Sequence, residues 1–392
     1  DEQRRRRLAT RHALVPGHRA DDPTGAARRV VALHGTDPAT IFVSARARAE
    51  RGDVADIEAA LYEDRSLVRV MAMRRTIWIV PDDAVAAVLG GPGRRVAASE
   101  RARLIKDVES HGLRRDGSRW LRDARRQVLG LLADGRPRTM DEIRAEAPAL
   151  RGSIRMGAGK RWENDAPVGP RVLTWLWASG EITRATNDGS WKVSRPRWAA
   201  VDSWLPIRAD PLDEQAAWTE LVRRYLAAFG PATETDVVWW LGANKRIVRA
   251  ALADLDAEEV ALADGSTGVV LPGDAEPTEP VEPWGALLPG LDPTTMGWKE
   301  RGWYLGPHAP ELVDAAGNAG PTVWWDGRIV GGWHQSDDGA VGMVLLEDVG
   351  RDALEALEAH AAELESWLGG ERVLLRFPSP LFQRATGRPR VR

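Results

Sequence analysis

Apolar residues recur at helical spacing in three separate stretches of the chain and alternate at strand spacing between and after them. The first stretch predicts a helix over Thr24–Leu33, with Ala27, Val30 and Val31 on one face. Asp37-Pro38 then reads as an N-cap with proline at the first helical position, opening a second helix that runs through Ala49. Asp53 caps a third, whose Ile57, Ala60 and Leu61 share a side. Leu67–Met73 and Thr76–Pro81 have strand character and join at Arg74-Arg75. Three helices followed by a hairpin is the order of a winged helix-turn-helix.

The order returns twice. In the second copy a helix covers Ala124–Ala133, and Thr139-Met140-Asp141-Glu142 has the S/T-x-x-E form of a capping box at the start of the next. A third helix spans Arg171–Ser179, and Gly180–Val193 reads as a hairpin turning at Asn187-Asp188-Gly189. In the third copy, helices over Glu214–Phe229, Thr233–Leu241 and Asn244–Leu255 precede a hairpin over Glu259–Leu271 that turns near Asp264-Gly265. Repetition carries more weight than any single copy, since helices plus one hairpin are common.

Beyond this point the period changes. Gly273–Pro283 is a Pro/Glu connector with little to bury. Thr322–Trp325, Arg328–His334 and Val341–Leu346 alternate like strands, with turns at Asp326-Gly327 and Asp337-Asp338-Gly339. A helix over Ala353–Leu368 and a strand over Arg372–Phe377 complete a mixed unit that reads as a small β-barrel or curled sheet. The expected fold class is therefore α+β: three tandem winged helix-turn-helix units followed by a small β-barrel-like domain. The expected divisions are a basic N-terminal arm (1–20), winged helix 1 with the candidate active site (21–95), a helical connector (96–120), winged helix 2 (121–205), winged helix 3 (206–275) and the barrel-like domain with its C-terminal helix (276–392). Gly152–Gly169, with Arg155, Lys160 and Arg161 among glycines, reads as a mobile basic loop.

Composition narrows the chemistry. A length of 392 residues exceeds one compact domain, and 43% apolar with 28% charged residues is ordinary for a globular protein. No apolar run approaches the roughly 18–20 residues of a membrane span. Arg4–Arg7 is followed by no apolar segment such as a secretory signal carries. Cysteine is absent, which excludes disulfides, thiolate zinc sites and cysteine nucleophiles and fits a reducing cytoplasm.

The net charge of −3 conceals a polarity. Residues 1–205 hold 38 Lys+Arg against 27 Asp+Glu, and residues 206–392 hold 16 against 30. A basic half points to an anionic partner, nucleic acid above all. Only five of the 54 basic residues are lysines, and arginine's planar fork suits bidentate phosphate contacts. The 18 tryptophans, none before Trp78, read as core and barrel packing. There is no phosphate-binding G-x-x-x-x-G-K-[ST] loop, no dinucleotide fingerprint and no H-E-x-x-H, and the seven histidines share no ligand spacing. Neither a metal nor a cofactor is expected.

The stretch Leu33-His34-Gly35-Thr36-Asp37-Pro38 lies between the first two helices. Together with Leu287-Leu288-Pro289, Asp292-Pro293, Gly297-Trp298-Lys299-Glu300-Arg301, Trp303 and Asp326-Gly327-Arg328-Ile329-Val330-Gly331-Gly332-Trp333, it resembles the AlkZ/YcaQ-like family of winged-helix DNA glycosylases. The resemblance runs over nearly the whole chain. It implies removal of bulky N7-alkylated purines from double-stranded DNA, with nucleoid association, for general repair, crosslink repair or self-resistance to a genotoxic natural product, while three unlike winged units in one chain favour a monomer. It also implies an active site at a Gln-x-Gln or Gln-x-Asp pair, whose place is taken here by His34-x-Thr36. Both residues differ from the family's, while polar groups two apart before Asp-Pro are kept.

An N7-alkylated purine is already a cationic leaving group, so the chemistry needs a positioned water and stabilisation of the charge developing at the sugar. A neutral His34 imidazole can accept a hydrogen bond from that water or act as its base, and the Thr36 hydroxyl can orient it. Asp37 is the one nearby carboxylate, either a helix cap or a catalytic group. No lysine lies near the motif to form a Schiff base, which points to a monofunctional glycosylase. Candidate DNA contacts are Arg46 and Arg48 after the motif, Arg74 and Arg75 at the first wing tip, and Arg155, Lys160 and Arg161 in the basic loop. His334 and Gln335 lie beside the turn that corresponds to a lesion-approaching hairpin in the family. The alternative is a non-catalytic winged-helix DNA-binding protein, a regulator or lesion-binding module, which the altered pair favours.

Overall fold

In a computed structural model, residues 1–157, 159, 163–206, 210–373 and 375–387 are described. The chain forms two compact units: Asp1–Leu67 with Trp78–Pro81 and Trp218–Arg392, and Val68–Ile77 with Asp82–Ala217.

In the first unit the basic N-terminal segment is a helix, Glu2–Arg11, rather than an arm. Its arginines bind within the unit. Arg5 Nη2 donates to Trp303 O (2.9 Å), Arg7 Nη2 to the carbonyls of Asp274 and Glu276 (2.6 and 2.7 Å), and Arg11 forks the Asp274 carboxylate. Asp274 and Glu276 belong to the Pro/Glu connector, so basic helix and acidic connector neutralise one another.

The helix expected over Thr24–Leu33 is shorter, Pro23–Arg29, with Asp22 Oδ1 accepting from Gly25 N (2.7 Å). β-Branched Val30 and Val31 lie beyond it, Val31 at φ 65°, and Leu33–His34 becomes a strand antiparallel to Trp78 and Ile79. Branched side chains restrict helical χ1, so apolar residues at helical spacing were here core-facing residues of a turn and strand. Pro38–Arg46 and Val54–Glu58 follow as helices, the latter widening to a π turn over Ala59–Glu63. Further on, Glu234–Leu241 and Lys245–Asp254 lie within a residue or two of expectation, followed by the ribbon Glu258–Ala261 and Thr267–Val270.

The C-terminal part holds a four-stranded antiparallel sheet in the order Gly285–Leu288, Thr322–Trp325, Arg328–Gln335, Val341–Leu345. The first of these strands was not read from the sequence. Conversely, the strand expected over Arg372–Phe377 is absent among its described residues. Val373 N–H goes to the side chain of Gln335 (2.9 Å) rather than to a ladder. Helix Arg351–Leu368 packs on both outer strands of the sheet, Gly285–Leu288 and Val341–Leu345. Gly331 is required by close approach: a Cβ there would sit 2.3 Å from Val344 O. Gly297 is required likewise, 2.5 Å from the Phe229 ring.

Rings form a continuous core in this unit. Contacts at 4.7–5.8 Å run from His34 and Trp78 through Trp240, Tyr225 and Phe229 to Trp298, Trp303, Tyr304 and Trp324. Edge-on and tilted geometries dominate, as ring quadrupoles prefer.

The second unit is built on helices Arg94–Ser110, Gly117–Leu132, Met140–Glu146 and Val168–Ala178 around Leu104, Val108, Leu121, Val128, Ile143 and Leu176. The Thr139/Glu142 capping box is present, with Thr139 N to Glu142 Oε2 at 2.7 Å and Glu142 N to Thr139 Oγ1 at 3.2 Å. The basic loop expected over Gly152–Gly169 instead contains two paired strands, Ser153–Met156 and Asn164–Pro167, and the start of the next helix. The following hairpin pairs Ile182–Asn187 with Pro196–Ala200, so its connection is longer than expected. Asn187 organises that connection, its Nδ2 donating to Gly189 O and Val193 O and its Oδ1 accepting from Arg195 N.

Candidate active site

The motif turn links the short strand Leu33–His34 to helix Pro38–Arg46 and is buried. His34 is 4% exposed, its ring edge-on to Trp78 at 4.9 Å. Its Nδ1 accepts from Thr36 N (3.4 Å), which leaves the proton of a neutral ring on Nε2. The Thr36 hydroxyl is buried and makes no hydrogen bond among the described residues. A buried hydroxyl without a partner costs about 1–3 kcal/mol, so this oxygen is poised to take a water or a substrate atom.

Asp37 occupies the N-cap position with extended backbone (φ −103°, ψ 116°), yet its side chain makes no capping hydrogen bond. Thr40 N–H goes to the Asp37 backbone carbonyl (3.2 Å). The carboxylate Oδ2 accepts instead from Arg376 N (3.2 Å), a residue 339 positions away. The cap reading of Asp37 holds for its position and for the proline at N1, while its carboxylate is shared between the Arg376 N–H and a weaker interaction with the Ala39 N–H in the helix's first turn. Asp37 is 5% exposed. Burial pushes its pKa above the ordinary carboxylate value, against the opposing hydrogen bonds from the Arg376 and Ala39 N–H groups and the Arg376 charge.

Helix Pro38–Arg46 is fastened from its other side. Arg48, expected to meet DNA, is fully buried and forks Asp292, with Nη2–Oδ1 at 2.6 Å and Nη1–Oδ2 at 2.9 Å. It also donates to Ser44 O (2.8 Å) and Thr294 Oγ1 (2.6 Å). This removes Arg48 from the DNA contacts, because its guanidinium faces the interior. Ser44 Oγ donates to Asp292 (2.6 Å), and Thr40 Oγ1 to Gly290 O (2.8 Å). Thr294 passes the network on to His12: the Thr294 hydroxyl donates to Nδ1 (2.8 Å), and Nε2–H donates to Ala228 O (3.1 Å). Burial, then the nearby Arg48 charge, lowers the His12 pKa to about 3, so the ring is neutral. A second buried carboxylate, Asp236, accepts from Lys299 N (2.8 Å) and Glu300 N (3.0 Å). The sequence reading did not single out His12, Ser44, Asp236, Asp292 or Thr294. The available signal was a charged residue in otherwise apolar surroundings, as at Asp292 between Leu291 and Pro293.

The remaining candidates divide. Arg46 is half-buried and 3.9 Å from Glu363. Arg74 and Arg75 sit at the expected hairpin tip, both at positive φ (54° and 58°), a backbone strained for side chains other than glycine. Arg75 forks the buried Glu100, with Nε–Oε1 at 2.6 Å and Nη2–Oε2 at 3.2 Å, and so holds helix Arg94–Ser110. Arg155 is exposed on its strand and paired with Glu163. Lys160 and Arg161 lie outside the described residues. Gln335 is 5% exposed and its amide is fully used, donating to Gly339 O and Glu371 O (both 3.1 Å) and accepting from Val373 N. Gln335 is thus corrected from a DNA contact to a turn clasp. His334 beside it is half-buried, its Nδ1 without a partner among the described residues. Burial lowers its pKa from the ordinary histidine value.

Among the described residues no group of three or more His, Cys, Asp or Glu is arranged to hold a metal ion. None of the described helices is long and apolar enough to cross a membrane.

Comparison with known proteins places these observations. The interstrand DNA cross-link repair glycosylase of Streptomyces sahachiroi is 30% identical over 325 residues, spanning 80% of this chain and 82% of that protein. The solved structure of the S. sahachiroi DNA glycosylase AlkZ matches with a TM-score of 0.72 at 22% identity, over 95% of this chain and 98% of that one, and shares the mixed α+β fold. A sequence model of the family of AlkZ-like DNA glycosylases matches residues 27–367. The chain belongs to the AlkZ-like DNA glycosylase family.

Proposed function

We propose that the protein hydrolyses the N-glycosidic bond of bulky N7-alkylated purines in double-stranded DNA, with His34, Thr36 and Asp37 as its site. The observation that carries this reading is the buried turn itself. It holds an unpartnered Thr36 hydroxyl and a carboxylate with a raised pKa on adjacent residues. The Thr36 hydroxyl and the His34 Nε2–H orient a water. The water oxygen bonds to C1′ as the C1′–N9 pair leaves with the base. That pair discharges the positive charge of the alkylated purine, so no acid is needed for departure, and the water's proton passes to Asp37. A carboxylate whose pKa is raised by burial is a stronger base than an ordinary one. Its negative charge also stabilises the oxocarbenium-like state, which His34 and Thr36, carrying no negative charge, cannot do.

On this reading the three helix-and-hairpin units are winged helices, and the C-terminal sheet with its long helix is the barrel-like domain. The second unit is the more basic of the two, with 27 Lys+Arg against 19 Asp+Glu, and so the better match for phosphate. Arg46, Arg74, Arg75 and Arg155, with Lys160 and Arg161, are the proposed phosphate contacts, and His334 stands by the hairpin. A second reading, a DNA-binding module without chemistry, is favoured by one observation: no carboxylate stands at position 36. Incubation with duplex DNA carrying N7-methylguanine or a bulkier N7 adduct separates the two. Alkali-labile sites that vanish in Asp37→Asn support the glycosylase, whereas salt-sensitive binding without cleavage of either substrate supports the module.

A further inference from the structure

Helix Arg351–Leu368 meets the two outer strands of the C-terminal sheet unequally. Against Gly285–Leu288 the packing is tight: all four strand residues are buried, and a Cβ on Gly285 would lie 2.9 Å from Leu357. Against Val341–Leu345 it is open, every residue of that strand remaining half-exposed. Between strand and helix runs a groove of about 880 Å³. Its lining includes the apolar Val341, Met343, Leu345 and Leu354 and the acidic Glu358 and Glu365.

The register shows which backbone groups face the groove. Ser336 N bonds Ala340 O and Leu346 N bonds Val330 O, which fixes Gly332–Val344 and His334–Gly342 as the hydrogen-bonded pairs. Val341, Met343 and Leu345 fall between them, so their N–H and C=O groups point away from the sheet. Val341 N–H confirms the direction by donating to Glu365 Oε2 (2.8 Å). Among the described residues no other backbone group pairs with those of Met343 and Leu345. An open strand edge of this kind is a template for another strand.

We propose that this groove receives an extended segment of a partner protein, alternating basic and apolar residues, as a fifth strand on Val341–Leu345. Backbone pairing to Met343 and Leu345 supplies the register, and the apolar side chains cover Leu354 and the exposed face of the strand. The basic residues meet Glu358 and Glu365, on a helix that also carries Asp352, Glu355 and Glu363 against one Arg. This charge disfavours DNA as the occupant.

The test uses the full chain and a fluorescein-labelled eight-residue peptide of alternating Lys and Val, followed by anisotropy. Saturable binding is expected, weakened about tenfold or more when alternate peptide amides are N-methylated. A similar loss is expected when Val-Glu replaces Val-Lys, or in the Glu358→Lys, Glu365→Lys variant of the protein. Hydrogen exchange should show the peptide protecting the Met343 and Leu345 amides. No saturable binding, or equal affinity for the N-methylated peptide without that protection, overturns strand addition. Displacement of the peptide by duplex DNA, or by self-association of the chain through the same edge, overturns the choice of a basic partner protein.

Discussion

Asp37 concentrates the chemistry of the motif turn at a single side chain. A group whose folded pKa is raised favours the fold most below its unfolded value and loses that contribution as pH rises through the folded value. At neutral pH its ionised form is therefore a burden on the fold. Asp37→Asn removes that burden and still accepts the Arg376 N–H, so it should raise the urea midpoint of unfolding at pH 7 while abolishing base release. A variant that loses both stability and activity would assign Asp37 a purely structural role. If Asp37 is the base, the single-turnover rate falls as pH drops through a pKa above the ordinary carboxylate range, and Thr36→Val lowers the rate without moving that pKa. The motif's position was legible in the sequence because polar residues flank Asp-Pro in an apolar stretch. The direction of the Asp37 carboxylate was not, since its partner Arg376 is remote in the chain.

Helix Pro38–Arg46 owes its placement to a buried ion pair whose partners are 244 residues apart. Removing one member of such a pair leaves an uncompensated charge inside the protein. Arg48→Met should destabilise by about 3–5 kcal/mol, and Arg48→Met with Asp292→Leu by much less, as thermal unfolding would show. Equal losses in the single and double variants would contradict the pairing. Arg48 was misread because an arginine just past the end of the motif's helix looks like a surface contact, and only packing against Asp292 reveals its burial. The same network predicts acid sensitivity. His12 is neutral in the fold, with its pKa lowered from 6.5 to about 3, so the unfolded chain binds the extra proton as pH falls. This contribution is present above about pH 6.5 and drains away below it, by about 2 kcal/mol at pH 5. His12→Gln should flatten that part of the stability profile between pH 7 and 5.

At the scale of the molecule, charge is redistributed by folding. The sequence divides into a basic first half and an acidic second half, but the compact units do not follow that division. The N-terminal arginines are neutralised against the acidic connector within the first unit, which holds 27 Lys+Arg against 38 Asp+Glu, and the net basic unit is the second. Helices with strong caps were legible, as at Thr139 and Thr233, because capping is local. Strand Gly285–Leu288 was not, since its pairing with Thr322–Trp325 depends on residues some 35 positions away, and neither was the ribbon within the glycine-rich segment. The measurement closest to the central claim is a count of alkali-labile sites in duplex DNA bearing a bulky N7-alkylguanine, for the unmodified protein and for Asp37→Asn. Sites should form with the first and none above background with the second, with DNA affinity unchanged. Cleavage by neither, or equally by both, would contradict the claim.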